Sequence, residues 1–250
     1  MSGHSKWHSI KHKKGAADAI RGKVFTRHAN LITIAARNGG DPEMNPSLRL
    51  AIDNAKKDNV PSANIDKAIK RGTGEDKDAA QIEEVTYEGY GPEGVAVIVE
   101  CLTENTNRTY TNMRTIFNKQ GGNLGNSGSV AWMFDRKGVI SVSLQGTDAD
   151  AIELAAIDAG ASDIEREDEN IHIYTDPNEL STVSEKLKSA GIQAEKAEVQ
   201  LVPNQWVEVK DESTARKILN FMEALDDDQD VSDVSSNFDI SDELMTKIAA

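Results

Sequence analysis

VISVSLQGTDADAIELAAIDAGASDIEREDENIHIYTDPNELSTVSEKLKSAGIQAEKAEVQLV, residues 139–202, changes its hydrophobic period four times. Val139–Leu144 alternates apolar and polar side chains as a half-buried strand does. Residues 148–159 then follow a helical spacing, 162–167 and 170–175 return to alternation, 178–190 is helical again, and 193–202 closes as a strand. The order is β-α-β-β-α-β, that of a ferredoxin-like sandwich.

Upstream, two strand signals at Val85–Tyr90 and Val95–Leu102 flank a Gly91-Pro92-Glu93-Gly94 turn. A helix over Asn107–Lys119 and a strand over Val130–Phe134 follow. This β-β-α-β series lacks one helix and one strand of a comparable sandwich. The C-terminus supplies both, at 213–225 and 231–238. The reading is an α+β multidomain chain: a discontinuous domain formed by 80–135 with 205–243, and a second ferredoxin-like domain, 136–204, inserted into it. Strand 231–238 must then pair with strands from 82–134.

Residues 1–75 are of another kind. After MSGHSKWHSIKHKKG (1–15), too poor in apolar groups to offset its ordering entropy and so expected to be mobile, come three helical patterns. The first, Ala16 to about Asn38, carries Ile20, Val24, Leu31 and Ala35 on one face, with Phe25 and Ile32 beside it, and ends at Gly39-Gly40. The second starts at Asn45-Pro46, a capping residue followed by a first-turn proline, and repeats Leu48, Ala51, Ile52 and Ala55. The third runs from near Ser62 to Gly72. A three-helix bundle is predicted, joined to the rest by a polar linker, 73–81.

Charge separates these parts. The 250 residues carry a formal net charge of −14, yet residues 1–74 hold fourteen Lys/Arg against six Asp/Glu, or +8, which leaves −22 for residues 75–250. Such asymmetry points to a nucleic-acid or membrane surface at the basic end. No run approaches the roughly 20 apolar residues of a membrane span, and no apolar stretch makes the N-terminus a secretory signal. The single cysteine, Cys101, sits in an apolar run and excludes an intrachain disulfide or a cysteine-based zinc site. A cytoplasmic protein is expected.

The candidate contacts are Lys6, Trp7, His8, Lys11, His12, Lys13, Lys14, Arg21, Lys23, Arg27 and Arg37, with Arg49, Lys56, Lys57, Lys70 and Arg71 as secondary contacts. Spaced cations neutralise phosphates and release counterions, so affinity falls with salt. Trp7 either stacks on an unpaired base or packs against the bundle. His4, His8 and His12 recur every four residues, but the lysines among them repel a dication and no nearby carboxylate completes a zinc set. Hydrogen bonding to phosphate or base is expected there, with no metal and no cofactor.

Other features carry less. The glycine-rich stretch 121–128 follows a helix rather than preceding one, the reverse of a phosphate-cradling loop, and reads as a helix cap and turn. Tyr87, Tyr90, Trp132 and Phe134 lie in strand patterns without the RNA-recognition signature and are expected in the core or on a sheet face. Carboxylates come in runs such as Asp226-Asp227-Asp228, four of the five histidines lie in the basic module, and His172 is mid-strand. No Ser–His–Asp set is expected, and the protein is read as a non-enzyme.

Several segments are similar to one known family. Gly3-His4-Ser5-Lys6-Trp7, Arg21-Gly22-Lys23-Val24-Phe25, Gly39-Gly40-Asp41-Pro42 with Asn45-Pro46, Tyr87-Glu88-Gly89-Tyr90-Gly91-Pro92, Asn107-Arg108-Thr109 and Gly121-Gly122-Asn123-Leu124-Gly125 resemble the YebC/PmpR family. That family also includes the mitochondrial translational activator of cytochrome oxidase subunit I. The resemblance spans residues 3 to about 243. It implies a helical first domain, two α+β domains and a regulator of gene expression without catalytic activity. Bacterial members are described as DNA-binding transcriptional regulators, whereas the mitochondrial relatives look like translation factors acting on RNA or the ribosome. Ser235-Ser236-Asn237 departs from the aromatic–His–Asn stretch of many relatives. Two functions stay open: DNA-binding transcription regulation, and binding of ribosomal RNA in translation. The acidic domains are expected to face solvent or protein partners, and no membrane.

Overall fold

The computed structural model describes residues 17–76, 78–145, 147–167 and 170–249, with the side chains of 17–21, 242 and 249 left outside the description. In chain order the elements are α1 (Ala17–Ala36), α2 (Pro46–Lys57), α3 (Ser62–Gly72), β1 (Glu83–Tyr90), β2 (Ala96–Thr103), α4 (Thr106–Lys119), β3 (Asn123–Leu124), β4 (Phe134–Ser143), α5 (Ala149–Ala159), β5 (Asp163–Arg166), β6 (Asn170–Thr175), α6 (Leu180–Ser189), β7 (Lys196–Pro203), β8 (Val207–Val209), α7 (Glu212–Asp226), β9 (Val231–Ser236), β10 (Phe238–Ile240) and α8 (Asp242–Ala249). The fold is α+β. Two compact units divide the chain: described residues of 1–27, 79–135 and 203–250 form one, those of 28–78 and 136–202 the other.

In the first unit, β1 and β2 form an antiparallel hairpin with Tyr87 opposite Val99, and the sheet order is β3-β1-β2-β9. β9 pairs antiparallel with β2, Val99 opposite Val234. The pairing required of the C-terminal strand is therefore present, between segments well over one hundred residues apart. Helices α4 and α7 supply Met113, Phe117, Ile218 and Phe221 to one buried cluster with Val97, Val99 and Val234, and the rings of Phe117 and Phe221 meet edge to face at 5.0 Å. Gly121 follows the end of α4 at φ +79, and the Gly122 amide donates to the Phe117 carbonyl at 2.8 Å. This is the glycine cap expected of the 121–128 stretch.

Two expectations fail here. The strand expected at 130–134 is absent: Ala131–Met133 is a 3₁₀ turn, and the strand completing the sheet is the two-residue β3 inside the glycine-rich stretch. The reason is Glu88, whose buried carboxylate accepts from the amides of Gly128, Val130 and Ala131 at 2.7, 2.9 and 2.9 Å and draws that backbone into a turn. The C-terminal strand also breaks at Asn237 into β9 and β10. Asn237 accepts from the Ala96 amide at 2.8 Å and redirects the chain into a parallel pair with β8.

In the second unit the sheet order is β5-β6-β4-β7, the ferredoxin-like arrangement read from the sequence, with β6 antiparallel to both neighbours for which register is resolved. Ile140, Val142, Ile171 and Ile173 face Ile152, Ala156, Val183 and Leu187 of α5 and α6 in one core. Residues 28–72 form the helical part. Asn45 caps α2 by accepting from the Leu48 amide, while its amide nitrogen donates to the carbonyls of Ala35 and Gly39 at 2.8 Å each, so one side chain joins the end of α1 to the start of α2. The buried face of α1 is His28, Ile32, Thr33 and Ala36, rotated from the expected Leu31–Ala35 stripe, which is only half-buried. The close approach of α3 sets that rotation. A Cβ on Gly72 would lie 2.3 Å from the Thr33 carbonyl oxygen and 2.6 Å from the Ala36 side chain.

Candidate nucleic-acid interface

Of the sequence-derived contacts, Lys6, Trp7, His8, Lys11, His12, Lys13 and Lys14 lie outside the described residues, as do His4 and the side chain of Arg21. The described cations fall into four places. Lys23 and Arg27, one helical turn apart on α1, each meet a carboxylate: Lys23 Nζ lies 3.3 Å from Asp226 Oδ2, and Arg27 Nη2 lies 3.3 Å from Asp233 Oδ1. All four side chains are largely shielded from solvent. Acidic residues from the end of α7 and from β9 thus hold the two α1 cations.

Arg49, Lys56 and Lys57 lie on α2, whose Arg49 edge is covered by protein. Arg49 Nη2 pairs with Glu185 of α6 at 2.7 Å, Asn54 donates to the Ala197 carbonyl at 2.7 Å, and Leu50 packs on the core of the ferredoxin-like domain. Lys56 and Lys57 are exposed at the end of the helix. Desolvation by the surrounding chain pulls the Lys57 ammonium below its ordinary value, and nearby Lys188 acts the same way, while Asp53, Asp58 and Glu195 oppose both. Lys70 and Arg71 occupy the last turn of α3, where the helix dipole favours them. Arg37 is exposed just beyond α1.

The aromatic residues sort unevenly. Tyr87 and Phe134 are buried as expected, but Trp132 is 59% exposed on its 3₁₀ turn, and Trp206 and Tyr110 are also open. Trp132 Nε1 donates to the Ser129 carbonyl at 3.2 Å, which fixes its ring without covering it. The sequence marked Tyr110 only by its place on a helix that holds every Lys/Arg of residues 79–135: Arg108, Arg114 and Lys119.

Ser141 Oγ lies 3.1 Å from His172 Nδ1, and His172 Nε2 lies 3.4 Å from Glu167 Oε2, a line the sequence reading did not foresee. Ser141 and His172 are direct cross-strand partners on β4 and β6, and the arrangement is that of a buried histidine with both ring nitrogens engaged. Among the described residues no group of three or more His, Cys, Asp or Glu is placed to hold a metal ion, and no helix is long and apolar enough to cross a membrane. Cys101 is buried, and desolvation, reinforced by Asp228, Asp230 and Glu100, pushes its thiol far above the usual range and disfavours the thiolate.

The segments that carried the family resemblance have structural work. Arg108 binds Asp230 through two guanidinium nitrogens at 2.7–3.3 Å, Thr109 donates to the same carboxylate at 2.8 Å, and Asn112 donates to Asp228 at 2.9 Å. Together they tie the start of β9 to α4. Burial works to raise the Glu88 carboxyl, but the three amides that donate to it prevail and hold it below its ordinary value.

Comparison with known proteins agrees with these features. Residues 5–75 match the TACO1/YebC protein N-terminal domain, and residues 82–238 match the TACO1/YebC second and third domain. The chain is 53% identical to a "Probable transcriptional regulatory protein" of Persephonella marina over 100% of both chains. It is 51% identical to a protein of the same description from Halothermothrix orenii, over 99% of each. The crystal structure of the conserved hypothetical protein Aq1575 from Aquifex aeolicus superposes with a TM-score of 0.86 at 45% identity, covering 93% of this chain and 96% of that one. With both of its parts matched and relatives aligned end to end, this chain belongs to the TACO1/YebC family.

Proposed function

We propose that the protein is a non-enzymatic, nucleic-acid-binding regulator of gene expression that acts in the cytoplasm and engages its target through residues 1–75. The observation that carries this reading is the charge segregation, +8 on residues 1–74 against −22 on the remainder. The relatives' description as probable transcriptional regulatory proteins supports it. Domain limits of 1–75, 80–135 with 205–243, and 136–204 belong to the same proposal, with protein partners on the acidic domains.

DNA-binding transcription regulation is the reading that the relatives' names favour. One observation favours the other reading, a factor that binds ribosomal RNA. A groove-reading helix needs an open edge, and the Arg49 edge of α2 is occupied by Glu185 and Ala197. Salt-titrated binding to mixed-sequence duplex DNA, compared with co-sedimentation on ribosomes at the same salt, separates the two. Sequence-selective DNA binding that survives physiological salt supports transcription; ribosome retention with weak, sequence-blind DNA binding supports translation. Deleting residues 1–14 abolishes either interaction, and unchanged binding refutes both.

A further inference from the structure

Between residues 79 and 135 there are three Lys/Arg and seven Asp/Glu, and all three cations lie on α4. The helix itself, TNRTYTNMRTIFNK, contains no acid. Its inner side, Thr109, Met113 and Phe117, is buried. Its outer side repeats at the helical period: Asn107, Tyr110, Thr111, Arg114, Thr115 and Asn118 are all exposed. The stripe runs for about 17 Å along the axis.

The cations differ in what they meet. Arg108 is neutralised by Asp230. Arg114 and Lys119 are exposed with no acidic ion-pair partner among the described residues, while Lys217 is exposed and interacts electrostatically with Asp211. Lys119 lies at the end of α4 and lines a cavity of about 440 Å³ with Gln120, Lys217 and Asn220, the last two from α7. Pro92, Glu93 and Gly121 complete the lining, which thus holds two lysines and two carboxamide residues against a single carboxylate. Tyr110 is 48% exposed, and its ring leans on that of Tyr87 at 6.3 Å between centroids. Tyr87 is buried and its hydroxyl donates to the Thr106 carbonyl at 3.3 Å, so the platform beneath Tyr110 is anchored.

We propose that the outer face of α4, continued by the Lys119–Lys217 cavity, is a second nucleic-acid contact, on the otherwise acidic body. It takes the phosphodiester backbone of an unpaired strand, with a base stacked on Tyr110. The Thr111 and Thr115 hydroxyls donate to the Asn107 and Thr111 carbonyls of the helix itself, but an arginine and carboxamides on the face, with a lysine at its end, are donors that phosphate and sugar oxygens use. An accessible aromatic ring among cations is the unit that holds a single-stranded base. Without this face the body would repel a polyanion; with it, the body offers a contact of its own. The inference rests on the proposed nucleic-acid function and places a further site within it.

The test uses the full chain and a labelled mixed-sequence RNA single strand, with the same sequence as single-stranded DNA and as duplex DNA for comparison, each titrated with salt. Arg114→Glu with Lys119→Glu lowers the slope of log affinity against log salt by about 1.4 on single strands. Tyr110→Ala weakens single-strand binding by about fivefold or more and leaves duplex binding unchanged. Equal losses on RNA and DNA strands assign the site to the shared phosphate and base chemistry; a larger loss on RNA assigns it to RNA. Lys210→Glu, an exposed charge reversal outside this face, changes neither quantity. Normal binding by the α4 variants, or an equal loss with Lys210→Glu, overturns the inference while leaving the proposed function standing. A wild-type chain that binds none of the three probes overturns both.

Discussion

Replacing Asp226 and Asp233 together by asparagine removes the ion pair each makes with Lys23 and Arg27 while changing little in size. Each pair spans 3.3 Å, and about a fifth to a quarter of each basic side chain remains open to solvent. Pairs with that much access contribute about 0.2–1 kcal/mol each, so a phosphate competing with both carboxylates works against about 0.4–2 kcal/mol. At about 1.4 kcal/mol per tenfold, the double variant binds nucleic acid about two- to thirtyfold more tightly. Two additional cations engaging phosphate also steepen the salt dependence, by about 1.4 on a single strand and about 1.8 on a duplex. Fluorescence anisotropy across a salt series measures both. Asp227→Asn is the control: Asp227 is exposed beside Asp226, and it removes a charge without opening either ion pair. If the double variant gains no more per charge than Asp227→Asn, the carboxylates do not mask a binding surface and the assignment of Lys23 and Arg27 to the interface fails.

Three further outcomes follow from the geometry. Glu88→Gln leaves at least one of the Gly128, Val130 and Ala131 amides without an acceptor and costs about 1–3 kcal/mol in urea unfolding at neutral pH. Because the fold holds this carboxyl below its ordinary value, its contribution is complete above the unfolded value of about 4.3 and disappears as pH falls through the folded one. The wild type therefore loses stability to acid more steeply than the variant, and parallel acid limbs would refute the assignment. Gly72→Ala forces a methyl group against the Thr33 carbonyl and Ala36 and destabilises by about 1–3 kcal/mol, read as a lowered thermal midpoint; an unchanged midpoint would show that α1 and α3 can separate freely. The Cys101 thiol stays unreactive toward a thiol-specific disulfide reagent in the native protein and reacts at once in denaturant; rapid native reaction would contradict its burial.

What the sequence discloses depends on how local the cause is. The β-α-β-β-α-β order is legible because each element of 139–202 is long enough to show its own period, and the role of β9 follows from counting what the middle domain lacks. β3, β8 and β10 are two or three residues long and leave no periodic trace. Their existence depends on partners distant in the chain, as does the turn that Glu88 imposes on residues 128–131. The candidate interface divides in the same way. Composition locates the cations of α1, but Asp226 and Asp233 lie 203 and 206 residues further on, and a charge count cannot tell a free cation from a held one. The acid-free stretch of α4 is visible in the sequence and is easily lost inside a body whose total is strongly negative.

The antiparallel bond between β2 and β9 also has a consequence in time. During synthesis Thr103 precedes Val231 by 128 positions. At roughly 5–20 residues per second the free edge of β2 waits about 6–25 s for its partner. The sheet β5-β6-β4-β7, whose four strands all fall within residues 134–203, is available in full earlier. That sheet can therefore close while the edge of β2 is still open, and an unpaired, apolar strand edge is the hazard that a nascent-chain chaperone would have to cover.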